Sequence, residues 1–150
     1  MIELKGDGTI SASPNTHCYT AVINSCAYCE RDSLEKRQAL RIAIETYKEL
    51  LVRIPDGANQ VTFSTLVTAF RNLLPPDETR AAAIETIFKK CADDGHVSDR
   101  FLRQVQSSLS EDQLHKLIGV ELLSEGRVDV EQIPSTWRRN VEQMSARVTP

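Results

Sequence analysis

The sequence contains one short motif twice, and this repetition limits the fold more than any other feature. Tyr19-Thr-Ala-Val-Ile23 and Phe63-Ser-Thr-Leu-Val67 each join an aromatic residue to two small residues and two branched aliphatic residues. Each motif opens an apolar pattern at positions i, i+3, i+4 and i+7, the spacing of one helix face. A second pair, Ala43-Ile-Glu-Thr46 and Ala83-Ile-Glu-Thr86, recurs inside the helical patterns that follow. The chain therefore predicts two successive pairs of amphipathic helices.

Residues that start and stop helices lie between these apolar patterns. Asn15 or Thr16 can cap the first helix, Asp32 is placed to cap the second, and Asn59 can cap the third. Pro75-Pro76 stops the third helix near Leu74, and Gly95 stops the fourth. Two shorter helices are predicted after Ser98 and Ser110.

The predicted fold is all-α, built as an α-solenoid of antiparallel helical hairpins. A unit of two amphipathic helices that recurs after 40 to 44 residues cannot bury its apolar face alone and must stack on the next unit. The predicted organisation is an irregular arm (1–14), a helical-repeat domain (15–119) and a C-terminal tail with a short helix (120–150). Within the repeat domain, the repeats span about 15–59 and 60–99, and a capping hairpin spans 98–119.

The two units resemble pentatricopeptide repeats. The residues that carry the resemblance are Thr62-Phe63-Ser64-Thr65-Leu66, Ala83-Ile84, and Gly95 ahead of His96-Val97-Ser98-Asp99. The resemblance covers Asn15 to Asp99 and implies a right-handed solenoid that binds single-stranded RNA sequence-selectively, in organellar RNA processing or stability. The chain departs from the family pattern where Glu30 to Arg37 widens the first interhelical turn.

The resemblance also implies which side chains read bases. In the family, the residue after the first-helix aromatic cooperates with the last residue of the unit. This pairs Thr20 with Asn59, a combination associated with adenine, and Ser64 with Asp99, associated with guanine. Polar residues off the apolar stripes complete the predicted inner face. The predicted RNA-binding residues are Thr20, Asn24, Asn59, Ser64, Thr68, Arg71 and Asp99.

A second interpretation gives the same architecture a different partner. Asn59 and Asp99 suit helix caps without any ligand, and Ser and Thr are common on solvated helix faces. The formal net charge of -3 opposes a general polyanion binder that neutralises many phosphates. The alternative is therefore a scaffold that binds a protein partner in its groove.

The sequence offers no catalytic, cofactor or metal signature. It contains no nucleophile elbow, P-loop, dinucleotide fingerprint or H-E-x-x-H motif. Cys26-Ala-Tyr-Cys29 has the spacing of half a zinc site, but no second half follows. We therefore predict no enzyme, no cofactor, no bound metal and no small-molecule substrate.

The ends of the chain carry two further expectations. The sequence has no run of 18 apolar residues, so no membrane span is predicted. No presequence is visible in residues 1–14, although the resemblance implies a location in mitochondria or plastids. We expect the chain to be the C-terminal part of a longer repeat protein. Trp137 is predicted to fold back on the end of the helical domain; the alternative is a partner contact beside Arg138-Arg139.

Overall fold

Six α-helices form most of the described structure. The computed structural model describes residues 15–30, 32–119, 123–124, 127–128 and 132–141. The helices are α1 (Thr16–Ala27), α2 (Ser33–Arg53), α3 (Gln60–Leu73), α4 (Glu78–Asp93), α5 (Asp99–Ser108) and α6 (Glu111–Ile118). These helices confirm the prediction of a helical fold. The predicted arm and Met144 of the predicted last helix lie outside the described residues.

The region after α6 contains structure that the sequence left ambiguous. A two-residue antiparallel pair joins β1 (Leu123–Ser124) to β2 (Arg127–Val128). The backbone amide of Val128 donates to Oε1 of Gln106 at 2.9 Å, which fixes the pair against α5. A single 3₁₀ turn (Ser135–Arg138) replaces the start of the predicted last helix.

Capping side chains start the helices where the sequence predicted. Asn15 accepts from the amide of Cys18, and Asp32 accepts from the amide of Glu35. Asn59 forms a capping box with Thr62, in which each side chain accepts from the other residue's backbone amide. Satisfying these N–H groups removes part of the cost of ending a helix in a folded chain.

Gly95 ends the α4 region in a conformation that requires glycine. Its φ of 75° lies in the left-handed region, where a Cβ atom is strained. A Cβ built there would also come within 2.6 Å of Cγ of Arg139. The predicted stop at Gly95 is therefore both a backbone requirement and a packing requirement.

The odd-numbered helices α1, α3 and α5 form one layer around α3. Oγ1 of Thr20 and Oγ1 of Thr62 lie 3.0 Å apart near the starts of α1 and α3, and Asn72 donates to the carbonyl of Ala27 near their ends. These two contacts show that α1 and α3 run parallel. Arg71, the residue before Asn72, contacts α5 instead. Consecutive helix residues point about 100° apart, so α1 and α5 pack on different sides of α3.

The core is centred on α3, which packs against α1, α2, α4 and α5. Phe63 is fully buried there, with its ring centroid 6.3 Å from that of Tyr47 and 6.0 Å from that of His96. The apolar stripes of the sequence supply most of this core, whereas Val22, which lies on the first stripe, is 41% exposed. Members of the core include Tyr19, Ile23, Ala43, Leu50, Leu66, Val67, Phe70, Ile84, Ile87 and Phe88.

The C-terminal tail folds back on the end of α4, which confirms the prediction for Trp137. The backbone amide of Val97 donates to the carbonyl of Trp137 at 2.9 Å. The indole lies edge-on to Phe88, with ring centroids 5.5 Å apart. Asn140 adds two bonds, from its amide N–H to the carbonyl of Gly95 and from its side chain to that of Asp94. The tail thus satisfies carbonyl groups that the end of α4 leaves open.

Protonation of His96 is expected to destabilise the fold as the pH falls. Burial lowers the pKa of His96 below its usual 6.5, more than nearby Asp94 raises it, and Arg139 lowers it further. Because the folded pKa lies below the unfolded one, this contribution to stability is present above about pH 6.5 and is lost as the pH falls through the folded pKa. Urea unfolding between pH 7.5 and 5 measures the loss.

One variant isolates the His96 contribution to this pH dependence. His96→Phe removes the titrating group and is expected to flatten the decline. Equal slopes in the wild-type protein and His96→Phe would assign the decline to other groups.

Candidate nucleic-acid interface

The structure divides the seven predicted RNA-binding residues between buried and accessible positions. Thr20, Ser64 and Thr68 are 8%, 3% and 5% exposed. The expectation that these three side chains line an open face is wrong, because parallel helices pack closely around α3 and small side chains fill the contacts. Arg71 and Asn59 are half-buried. Asn24 and Asp99 are exposed.

Thr20 and Asn59, the predicted adenine pair, are connected through Thr62. Oγ1 of Thr62 lies 3.0 Å from Oγ1 of Thr20 and 3.2 Å from Oδ1 of Asn59. It also accepts from the backbone amide of Asn59 at 3.2 Å. Both side chains are therefore used to start α3 and to join it to α1.

Ser64 and Asp99, the predicted guanine pair, have separate surroundings. The hydroxyl of Ser64 is buried and has no hydrogen-bond partner among the described residues. Asp99 pairs with Arg138, with Oδ1 3.1 Å from Nη1. The cap of α5 is Ser98, whose side chain accepts from the amide of Phe101. No hydrogen bond in the described structure connects the two predicted partners.

Among the predicted RNA-binding residues, Arg71 belongs to a larger polar surface. Its Nη1 donates to Oε1 of Gln104 at 3.1 Å and to Oγ of Ser107 at 3.0 Å, so the end of α3 is tied to α5. Arg100 and Arg103 lie one helical turn before these two residues and share their face of α5. We call this set of five residues, Arg71, Arg100, Arg103, Gln104 and Ser107, the basic surface.

The positive charge of the basic surface is not neutralised by neighbouring carboxylates. In the described ranges, its three arginines form no ion pair, whereas Arg41, Arg53 and Lys89 each pair with a glutamate four residues away. Arg100 and Arg103 are exposed. Unpaired guanidinium groups on one face attract anions, and this attraction acts locally even on a chain of net charge -3.

Arg80 binds the C-terminal end of α3, where Arg71 is located. Its Nη2 donates to the carbonyl oxygens of Arg71 at 2.7 Å and of Leu74 at 2.6 Å. Burial lowers the pKa of Arg80, and the neighbouring positive charge of Arg71 lowers it further, while Asp77 raises it. Arg80 therefore positions the backbone beneath Arg71 and adds positive charge behind it.

Four residues of the basic surface were missed by sequence reasoning, although a signal was present. Arg100, Arg103, Gln104 and Ser107 stand at i, i+3, i+4 and i+7 and so form a polar stripe. Nothing in the spacing alone shows that the polar stripe adjoins Arg71, which lies about thirty residues earlier in the chain.

The cysteines and the other potential metal ligands do not assemble around one point in the described part of the chain, where no group of three or more His, Cys, Asp or Glu side chains could hold a metal. Cys91 is buried, and burial raises the pKa of its thiol well above the usual range. Burial also raises the pKa of Cys26, with a smaller contribution from Cys29. Such thiols stay protonated and react slowly.

None of the described helices is long and apolar enough to cross a bilayer. No protein-family model matches the chain, and comparison with curated proteins and with solved structures finds no significant similarity. A proposal about function therefore rests on the chemistry of the basic surface.

Proposed function

We propose that this protein is a helical-repeat protein that binds single-stranded RNA and that the basic surface contacts the RNA. The observation that carries the proposal is the set of three unpaired arginines, beside an amide and a hydroxyl, on adjoining faces of α3 and α5. In a right-handed α-solenoid, the parallel helices α1, α3 and α5 would line the concave side. The resemblance to pentatricopeptide repeats supports this arrangement and a role in organellar RNA processing or stability.

Asn24 supplies a further contact in this proposal. It is exposed on α1, and its side chain forms no hydrogen bond in the part of the chain described here. Its amide carries both a donor and an acceptor, which is what contact with an unstacked base requires. Sequence selectivity, where it occurs, is assigned to this side chain, because Thr20, Ser64 and Thr68 are buried.

Removing the α5 arginines is expected to weaken RNA binding and to reduce its salt dependence. Phosphate contacts release counterions, and each contact with a single strand contributes about 0.7 to the slope of log K against log salt. Arg100→Gln with Arg103→Gln should therefore lower the slope by about 1.4 if each arginine contacts one phosphate. Fluorescence anisotropy with a labelled randomised RNA, at several salt concentrations, measures both quantities.

A second pair of substitutions controls for net charge. Arg41→Gln with Arg53→Gln removes the same charge from α2, where both arginines are exposed and paired with glutamates. This control should bind RNA almost as the wild-type protein does. Equal weakening by both pairs would show that overall charge, and not the basic surface, determines affinity.

A protein-binding scaffold is the alternative, and one observation favours it. Large exposed apolar side chains concentrate on the first helical hairpin, where Val52 is 80% exposed and Leu34 61%. Tyr28 and Ile42 belong to the same region. Apolar side chains at a surface mark protein contacts more often than nucleic-acid contacts. If no RNA binds at any salt concentration, the protein-binding scaffold becomes the better-supported function.

A further inference from the structure

We infer that the basic surface is a donor-rich site that binds the phosphodiester oxygens of a single strand and does not distinguish the bases. This inference rests on the proposed RNA binding and specifies its chemistry at one place. It assigns to the basic surface a ligand, the anionic phosphate oxygen, which accepts hydrogen bonds and donates none.

The hydrogen bond between Arg71 and Gln104 fixes the orientation of the amide. A guanidinium group can only donate, so the amide must turn its oxygen toward Arg71, and Oε1 accepts at 3.1 Å. The Nε2 group of Gln104 is then directed away from Arg71. It donates to no other described residue and has two N–H groups available to a ligand.

Ser107 commits its one O–H donor and one of its two acceptor lone pairs to the same network. Its hydroxyl donates to the carbonyl oxygen of Gln104 at 3.1 Å, and its oxygen accepts from Nη1 of Arg71 at 3.0 Å. Arg71 keeps Nη2 unengaged by the described residues. The internal bonds of the surface therefore occupy part of its acceptor capacity and leave N–H donors in excess.

The two exposed arginines extend this donor set along α5. Arg100 and Arg103 supply only N–H donors, and neither has a carboxylate partner within the described ranges. From Arg100 to Ser107 the helix rises about 10 Å at 1.5 Å per residue. Donors spread over this length suit a chain of phosphate groups better than a single small anion.

Phosphate oxygens are the part of a single strand that a donor-rich surface suits best. They only accept hydrogen bonds, and the available groups of the basic surface are mainly N–H donors. Phosphate oxygens occur at every nucleotide, so contacts to them position the strand without reading it. The contacts also do not need the ribose 2′-hydroxyl, so DNA and RNA single strands should bind with similar affinity.

Oligonucleotide probes of equal length test this chemistry directly. We expect oligouridine, oligoadenosine and oligocytidine to bind the Asn24→Ala variant within about threefold of each other, since phosphate contacts carry no sequence information and the side chain assigned to base selectivity is absent. Oligothymidine should bind in the same range, and its methylphosphonate analogue, which lacks the phosphate charge, at least about tenfold more weakly. A preference of tenfold or more for one base, or unchanged binding of the methylphosphonate, would overturn the inference.

Two glutamine substitutions on α5 form a matched pair for the same assay. Gln104→Glu replaces the outward amide with a carboxylate beside Arg71, so it removes the donor and neutralises the guanidinium. We expect all oligonucleotides to bind about tenfold more weakly. Gln106→Glu makes the same change in charge two residues away, where Oε1 accepts from Val128 and a carboxylate can still accept. Its effect should stay under about twofold, and equal effects from both variants would contradict the site.

Inorganic tripolyphosphate separates this inference from the proposed function. Calorimetry with tripolyphosphate reports whether the donors bind phosphate oxygen in the absence of any base or ribose. Binding that Gln104→Glu abolishes supports the donor-rich site even if no oligonucleotide binds, in which case only the RNA proposal fails. Absence of binding to both tripolyphosphate and oligonucleotides would overturn both.

Discussion

Replacing Phe63 by alanine is expected to destabilise the fold by about 3–5 kcal/mol, the usual range for emptying a large aromatic site in a core. Phe63 is fully buried, and its ring packs against those of Tyr47 and His96. These neighbours belong to α2 and to the segment after α4. The cavity would therefore open where several elements meet, so collapse of the surrounding chain can fill little of it. Urea unfolding followed by circular dichroism measures the loss.

Two companion variants make the Phe63 result interpretable. Phe63→Leu keeps most of the apolar volume and should lose less stability, which matters because a domain stable by 5–15 kcal/mol can be largely unfolded by the alanine change. Val61→Ala removes apolar atoms from a side chain that is 45% exposed on the same helix and should cost less than about 1 kcal/mol. Similar losses at both positions would show that Phe63 is not at the centre of the core.

Thr62→Val is the second substitution with a large expected effect, about 2 kcal/mol of lost stability, since it leaves buried polar groups without partners. Valine has the shape of threonine but no hydroxyl. The change removes the acceptor for the backbone amide of Asn59 and the buried partner of Thr20. Thr65→Val is the control, because the hydroxyl of Thr65 only bonds to the carbonyl of Val61 in its own helix. Its effect should be within about 0.5 kcal/mol.

A double-mutant cycle tests the assigned partners of Thr62. Thr20→Val with Thr62→Val removes both hydroxyl groups, so no hydroxyl of the pair stays buried and unpaired. The combined loss should be smaller than the sum of the two single losses. Additive losses would mean that the 3.0 Å contact between these oxygens contributes little to stability. Thr20→Val should also leave the choice of RNA base unchanged, since the hydroxyl is buried.

Local sequence signals predicted the helices well because helix starts and stops are local events. Asn15, Asp32 and Asn59 cap helices as expected, and Gly95 ends the α4 region. Each of these residues acts on backbone groups within four positions of itself. The apolar stripes were equally reliable, because burial of one face is what holds an amphipathic helix in a fold.

The burial of small polar residues could not be predicted from the same signals. Thr20, Ser64 and Thr68 look like solvated positions in any periodicity analysis, since they are polar and lie off the apolar stripes. In the fold, Thr20 pairs with Thr62 and Thr68 bonds to the carbonyl of Ser64, so two of the three satisfy their polar atoms inside. Such pairing depends on how closely two helices approach, which is a property of the tertiary structure.

The candidate site could not be predicted from the sequence because it depends on contacts between residues that are even more distant in the chain. Arg71 meets Gln104 and Ser107, which are 33 and 36 residues away. The polar stripe of α5 is visible in the sequence, but its position beside Arg71 results from how α5 packs on α3. The bonds from Asn140 to Gly95 and Asp94 span 45 and 46 residues and could likewise not be predicted from the sequence.

Because α3 packs against four other helices, the two hairpins of this protein do not open independently. Separation of either hairpin would expose Phe63 and Phe70 to water, so the helices from α1 to α5 gain and lose structure as one cooperative unit. Amide hydrogens of α3 then exchange with solvent only when the whole unit unfolds. Helix α6 packs less extensively on the other elements, although Leu114 and Ile118 are buried in the same core, so we expect its amide hydrogens to exchange before those of α3.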